Sequence, residues 1–150
     1  ECAREKSRQN DDCGAVALEL QDGRIVTGKN TQRMSASAAC VFNAVKMLAG
    51  IKDSQKLISP YVIGPIIDMK TKILKEHDKT LTLEEALLAL SICAASDATA
   101  ATAMEQLTQL DGCDAHSTHM LFKADENPFR KLGVRLSSDP EFLGDTLFNE

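Results

Sequence analysis

An Asp-Gly dipeptide between two apolar runs constrains the fold of this chain more than any other feature. Residues 15–28 read Ala-Val-Ala-Leu-Glu-Leu-Gln-Asp-Gly-Arg-Ile-Val-Thr-Gly. Asp22-Gly23 supplies the positive φ that a tight hairpin turn requires, and the apolar residues on either side partly alternate. The sequence therefore predicts a β-hairpin near the start of the chain, with its second strand ending at Gly28-Lys29-Asn30.

Helices are predicted after the hairpin. An apolar stripe at helical spacing indicates a helix over 35–49, capped by Ser35 or Ser37 and ended by Gly50. After a linker at 51–58, Ser59-Pro60 is a cap followed by Pro at the first helical position. Gly64-Pro65 is expected to break or kink that helix, with a second piece over about 65–75.

The second half of the chain predicts further helices and two strands. Thr82-Leu83-Glu84-Glu85 is a capping box, and the helix after it is apolar nearly all round, which is typical of a central helix. Ser96-Asp97 caps a helix over about 98–110 that Gly112 closes. There follow a strand over 115–122, a short helix over 125–132 ended by Gly133, and a strand at 134–136. This order predicts an α/β fold in which helices pack on a small mixed sheet.

Composition excludes several classes of function. A chain of 150 residues with net charge −5 and no basic run argues against a nucleic-acid or anionic-membrane surface, so neither partner is expected. The longest apolar stretches fall short of the ~18 residues that a membrane span needs. The five cysteines are odd in number and scattered, as expected for free thiols in a reducing cytoplasm, at positions 2, 13, 40, 93 and 113.

The two ends of the chain suggest a piece of something longer. The sequence begins Glu1-Cys2-Ala3 without an initiator Met, and its first residues read as the tail of a charged helix. We therefore expect a helical tail from a preceding domain at 1–12, a domain at 13–140 and an irregular tail at 141–150. The expected partners are the N-terminal remainder of a longer chain and, as a further option, a second copy of this one.

Polar residues gather where the strand over 115–122 begins. A His beside hydroxyl groups can position a proton or bind an anion, and the candidate ligand-binding residues there are Cys113, His116, Ser117 and Thr118. Lys29 and Asp97 are two further candidates, although a solvated lysine and a helix cap are the simpler interpretations. The same simple interpretation, a solvated side chain, applies to Lys70 and Lys72. The alternative for Ser117 and Thr118 is that their hydroxyls satisfy local main-chain groups.

Several known chemistries lack their residues. The hairpin followed directly by a helix is how cytidine-deaminase-like domains begin, but here that helix opens Ser-Ala-Ser-Ala at 35–38, and the chain holds no Cys-x-x-Cys. A zinc site, and any other metal site, is therefore not predicted, and no cofactor is indicated. The Gly-x-Ser-x-Gly elbow and the phosphate-binding glycine loops are absent as well.

Three segments resemble the C-terminal part of an uncharacterised family, known as domain of unknown function 1846. The matching segments are Ala-His-Ser-Thr at 115–118, the Asn-x-x-Arg-Lys-Leu-Gly-Val of 127–134, and the hairpin over 18–29. The resemblance covers nearly the whole chain. It implies a subdomain with a cytidine-deaminase-like, three-layer α/β/α fold that lacks its zinc ligands, within a protein about three times longer.

Two functions are compatible with these features. The first is the C-terminal domain of a larger cytosolic protein, which supports assembly or contributes one wall of a small-molecule site between domains. The alternative is an enzyme domain in which His116, with Ser117, Thr118 and Cys113, acts on a phosphorylated or nucleotide-like small molecule. A pure dimerisation module is a third option.

Overall fold

The computed structural model describes residues 14–139, so the tails expected at 1–12 and 141–150 lie outside it. The strands and helices are, in chain order, β1 (Ala15–Glu19), β2 (Ile25–Lys29), α1 (Ala36–Ala49), α2 (Pro60–Asp68), α3 (Leu83–Ala94), α4 (Ala98–Glu105), β3 (Asp114–Ser117), α5 (Lys123–Lys131) and β4 (Arg135–Ser138). A π-helical segment, Met69–Ile73, continues α2, and a 3₁₀ segment, Gln106–Leu110, continues α4.

The hairpin forms where it is predicted. β1 and β2 pair antiparallel in the register Ala17↔Thr27, and Gly23 in the turn has φ +91°. The Asp22 carboxylate accepts a hydrogen bond from the main-chain N–H of Arg24 at 3.0 Å and one from its guanidinium at 2.7 Å. These contacts join residues only two positions apart and stabilise the turn locally, so the turn can be predicted from this short segment alone.

The hairpin becomes half of a mixed four-stranded sheet in the order β2-β1-β3-β4. β1 is antiparallel to both β2 and β3, while β3 and β4 are parallel and α5 connects them. Alternate residues of β1, Val16 and Leu18, are fully buried and share one core with side chains from α1, α3 and α5, among them Val41, Leu83 and Phe129. The α/β class and the small mixed sheet are therefore confirmed.

The opposite face of the sheet is open, and we call it the open face. It carries Ala17, Thr27 and His116, all partly exposed, and side chains that are more exposed still: Glu19, Ile25, Asp114, Arg135 and Ser137. No helix of residues 14–139 covers this face, so in that part of the chain the helices lie on one side of the sheet, and the second helical side of the expected α/β/α arrangement is not present there. Amphipathic periodicity shows that a helix has a buried side, but it does not show which face of the sheet the helix packs on.

The helix ends were predicted better than the helix interiors. Ser35 caps α1 and Gly50, with φ +71°, ends it. Of the two outcomes predicted at Gly64-Pro65, a break or a kink, the break is wrong, because α2 runs through Pro65. Pro65 removes the hydrogen bond to the carbonyl of Tyr61, a residue that is 91% exposed, so water can satisfy that carbonyl.

Helix α3 has its predicted capping box but not its predicted surroundings. Thr82 and Glu85 form the box, whereas Leu88 and Ile92 are 60% and 58% exposed, so α3 has an open side. The helix expected over 98–110 is helical only to Glu105 before its 3₁₀ turn. Leu110 is buried, while Met104 and Leu107 are half-buried.

Strand β3 ends at Ser117, five residues before its predicted end. Its neighbour β1 begins at Ala15, so no strand is available to pair with residues beyond Thr118. Met120 and Phe122 are accordingly exposed, at 52% and 83%. Strand propensity without a neighbouring strand does not make a strand.

Candidate functional site

His116 is the predicted site residue with the most informative surroundings. It lies on the open face of β3, directly opposite Ser137 of β4, and its side chain is 31% exposed. The Nδ1 atom lies 2.7 Å from the Ser137 hydroxyl, and the Nε2 atom lies 2.9 Å from Oδ1 of Asp139, a residue that is 3% exposed. Both ring nitrogens are thus held by side chains, which fixes the orientation of the ring.

The line Ser137–His116–Asp139 can transfer a proton. When Asp139 is ionised, it accepts a hydrogen bond from Nε2–H, and Nδ1 is then the acceptor for the Ser137 hydroxyl. A hydroxyl, an imidazole and a carboxylate in this order are the groups used for nucleophilic catalysis, although here the two ring nitrogens have exchanged roles. The sequence does not predict Ser137 and Asp139 as site residues, because the β3–β4 register that brings them to His116 cannot be read from it.

The other residues of the predicted cluster do not accompany His116. Ser117 points into the core, where its hydroxyl donates to the main-chain oxygen of His119 at 2.6 Å. The Thr118 hydroxyl accepts from the main-chain N–H of Ala15 at 3.0 Å. These contacts favour the simpler alternative for both hydroxyls, which is the satisfaction of local backbone groups.

Cys113 is also separated from the histidine. It is 3% exposed, its thiol lies 3.7 Å from the main-chain oxygen of Gln109, and burial raises its pKa. Cys40 and Cys93 are likewise buried and free, and burial raises the pKa of the Cys40 thiol to about 12. Such thiols are not poised to act as nucleophiles.

The remaining candidates occupy ordinary positions. Asp97 caps α4 by accepting from the main-chain N–H of Thr99 at 2.9 Å, as its simpler interpretation requires. Lys29 is exposed at the end of β2 beside a cleft. Lys70, expected to be solvated, is instead 4% exposed and donates to the Glu85 carboxylate at 2.8 Å.

A buried polar cluster beneath the sheet was missed by the sequence reasoning. Oδ1 of Asp125 accepts from the Ser35 hydroxyl at 2.9 Å and from the main-chain N–H of Leu83 at 2.7 Å, so one carboxylate joins the starts of α1 and α3. Burial raises the pKa of Asp125, although these hydrogen bonds and the nearby His119 oppose the rise. Burial lowers the pKa of His119, against the attraction of Asp125.

Within residues 14–139 this cluster has a structural role, because it connects the starts of α1 and α3. The N-termini of two helices carry partial positive charge, which suits a carboxylate. Ser37, the second residue of α1, is 1% exposed, and its hydroxyl has no hydrogen-bond partner within the described range. In this part of the chain no three His, Cys, Asp or Glu side chains are grouped as metal ligands would be, and no helix is long and apolar enough to cross a membrane.

Fold and site together define a mixed α/β domain with a polar, histidine-bearing open face. The chain belongs to the family described as "Domain of unknown function DUF1846, C-terminal", whose model matches residues 1–148. The family resemblance carried by the three sequence segments is therefore confirmed.

Relatives in clostridia are much longer than this chain. A UPF0371 protein of Clostridioides difficile (strain 630) is 49% identical over 145 residues, which cover 97% of this chain and 29% of the relative. UPF0371 proteins of Clostridium botulinum (strain Okra / Type B1) and Clostridium tetani (strain Massachusetts / E88) are each 46% identical over 145 residues, with the same coverage. The chain thus spans less than a third of the length of these relatives.

Proposed function

We propose that this domain packs its open face against the N-terminal remainder of a longer cytosolic protein and forms one wall of a small-molecule site at that interface. The observation that carries the proposal is the open face itself, which holds an oriented histidine and is covered by no helix of residues 14–139. The length of the relatives supports it, because some 70% of each lies outside the matched segment.

The composition of the open face suits such a contact. Arg135 and Asp114 pair across β3 and β4 at 2.7 Å, and Ile25 adds an apolar side chain that is 46% exposed. Polar rims around a few apolar groups are typical of interfaces between domains of one chain. On the same proposal the scaffold is cytidine-deaminase-like, with a hairpin, a following helix and a third layer supplied from beyond residues 14–139.

Carboxyl footprinting tests the proposal. Glu19 and Asp114 on the open face should be modified readily in the 150-residue chain and much less in the full-length polypeptide, while Glu84, exposed on α3, should react equally in both. Deletion of the domain should also lower ligand affinity or change oligomer size. Equal labelling of Asp114 in the two proteins would contradict the proposal.

The alternative is an enzyme domain, and the line Ser137–His116–Asp139 is the observation that favours it. In this alternative His116 accepts the proton of the Ser137 hydroxyl as the serine oxygen bonds to the phosphorus of a phosphorylated or nucleotide-like substrate. The bond from phosphorus to the leaving oxygen breaks, and that oxygen takes the proton from His116. Ser137→Ala would abolish turnover in the full-length polypeptide without changing its melting temperature, and His116→Ala would abolish turnover in a polypeptide that still unfolds cooperatively. Retained turnover in Ser137→Ala excludes the serine as nucleophile.

A further inference from the structure

A cleft of about 660 Å³ lies at the outer edge of β2, away from the His116 site. We call it the β2 cleft; α1 and the loop over 51–58 form its other walls. Its volume is in the range of pockets that hold small organic ligands. Its floor is apolar and consists of Val26, Phe42, Leu57, Ile58 and Ile63.

The charge of the side chains around the β2 cleft is opposite in sign to the net charge of the chain. Among residues 14–139, four basic side chains and one acidic side chain line it, although the net charge of the whole chain is −5. Arg33 and Lys56 are exposed at its mouth, and Asp53 is the acid. A concave, locally positive wall raises the local concentration of anions.

Lys46 distinguishes the β2 cleft from a patch of exposed surface charges, because its side chain is buried. It is 9% exposed, and its ammonium donates to the main-chain oxygen of Asp53 at 3.0 Å. An ammonium has three N–H donors, and the other two have no hydrogen-bond acceptor within residues 14–139. Burial lowers the pKa of Lys46, with the Asp53 carboxylate opposing, and a bound anion would compensate a buried charge.

The edge of β2 adds a main-chain donor. The bonds Leu20 N–H to Arg24 O and Asn30 N–H to Gly14 O fix the register, so Val26 and Gly28 bond to β1 while Thr27 directs its N–H and C=O outward. The Asn43 side-chain amide donates to the Thr27 carbonyl at 2.9 Å, and Thr27 and Asn43 both line the cleft. The outward Thr27 N–H therefore remains as a main-chain donor in the lining of the cleft.

We infer that the β2 cleft binds a small organic molecule that carries a phosphate group, with the phosphate on Lys46, Arg33 and Lys56 and the organic body on the apolar floor. A phosphate monoester has a charge of about −1.5 to −2 at neutral pH and several strong acceptor oxygens, which match an excess of basic side chains. The planar guanidinium of Arg33 suits a phosphate particularly well. The apolar floor favours an organic phosphate over the bare ion.

Calorimetric titration of the 150-residue chain tests this with four probes: adenosine monophosphate, phenyl phosphate, inorganic phosphate and citrate. At least one of the two organic phosphates should bind more tightly than inorganic phosphate and citrate. Lys46→Met keeps the apolar stem but removes the ammonium, and it should weaken that binding by about tenfold or more. Lys52→Met, an exposed lysine of the same loop outside the cleft, is the matched control and should bind as the wild type does.

A second variant separates binding from folding. Arg33→Gln combined with Lys56→Gln changes only exposed side chains, so it should keep the melting temperature and still weaken the organic phosphate. The inference is overturned if neither organic phosphate binds at millimolar concentration, if inorganic phosphate or citrate binds equally well, or if Lys46→Met and Lys52→Met behave alike.

Discussion

Asp125 holds the starts of two helices together through a single oxygen atom. Its acceptor bonds reach Ser35 and Leu83, which are 90 and 42 residues away in the chain. A buried donor that loses its partner costs about 1–3 kcal/mol. Residues of this kind contribute to stability by preventing unsatisfied polar groups rather than by burying surface.

Replacement of Asp125 should therefore depend on whether an acceptor remains. Asp125→Ala leaves two donors without a partner and should lower the free energy of unfolding by about 2–4 kcal/mol. Asp125→Asn keeps Oδ1 as an acceptor and should be far milder. Urea denaturation of both variants at neutral pH measures the difference, and equal losses would mean that the hydrogen bonds are not what matters.

The pH dependence of Asp125→Asn follows from the raised pKa. In the wild type the folded state holds this proton more tightly than the unfolded state, whose pKa is near 3.8, so the Asp125 contribution falls as pH rises from that value through the folded pKa. Asn does not titrate. The variant should consequently gain stability relative to the wild type between pH 4 and neutral pH, as measured by urea midpoints across that range.

The contribution of His119 to stability depends on pH in the opposite direction to that of Asp125. Burial lowers its pKa in the folded state, so the unfolded state takes up the proton first and stability is lost as pH falls below about 6.5, until the lowered pKa is passed. His119→Asn removes this titration and should reduce the loss of stability between pH 7 and pH 5. His77→Asn, which replaces a histidine in an exposed loop by the same residue, is the control, and an equal change in the pH profiles of the two variants would contradict the role of His119.

At the scale of elements, the contact between β2 and α1 depends on Gly28. A Cβ atom built on this residue would lie 2.6 Å from the Ala36 carbonyl oxygen and from the Cα of Cys40, so the helix backbone fits directly over the strand. The neighbouring atoms are backbone and cannot rotate away. The position explains why the strand keeps a glycine despite its poor strand propensity.

Gly28→Ala should destabilise the protein by about 1–3 kcal/mol, since overpacking of this kind forces the elements apart. Gly64→Ala is the matched control, because Gly64 lies inside α2 and a Cβ atom added there would meet nothing within 4 Å. Alanine favours a helix over glycine by about 0.5–1 kcal/mol, so this control should be stabilised. Thermal unfolding of both variants measures whether the melting temperature falls in Gly28→Ala and rises in Gly64→Ala.

The elements show which structure could be predicted from the sequence. The hairpin turn, the Ser35 cap and the Thr82 capping box depend on residues within four positions of one another, and the sequence predicts all three. The end of β3 depends on where β1 begins, about a hundred residues earlier, and the sequence misplaces it. His116 was found for its chemistry, but Ser137 and Asp139 reach it only through strand pairing.

At the scale of the whole molecule, the sheet joins the two ends of the described chain. β1 lies between β2 and β3, and Ala15 bonds to Thr118 across 103 positions. Phe129 and Ala115 from the C-terminal half fill the same core as Val16 and Leu18. Neither half can therefore bury its apolar surface alone.

A chain ending at Gly112 should not fold. It keeps the hairpin and four helices, but it lacks β3, α5 and β4 and leaves one edge of β1 and part of the core uncovered. We expect a loss of cooperative thermal unfolding and of dispersed amide resonances. A cooperative melt of this truncated chain would show that the β1–β2 pair and its helices form a stable unit by themselves.

The central position of β1 also has a consequence during synthesis. The ribosome makes β1 and β2 together, but the strand that pairs with the other edge of β1 emerges about a hundred residues later. At about 5–20 residues per second, that delay is on the order of ten seconds. Throughout that interval the nascent polypeptide has an unpaired strand edge and uncovered apolar residues, features that favour aggregation before folding is complete. Pairing between strands a hundred residues apart is also a long-range contact of the kind that slows folding.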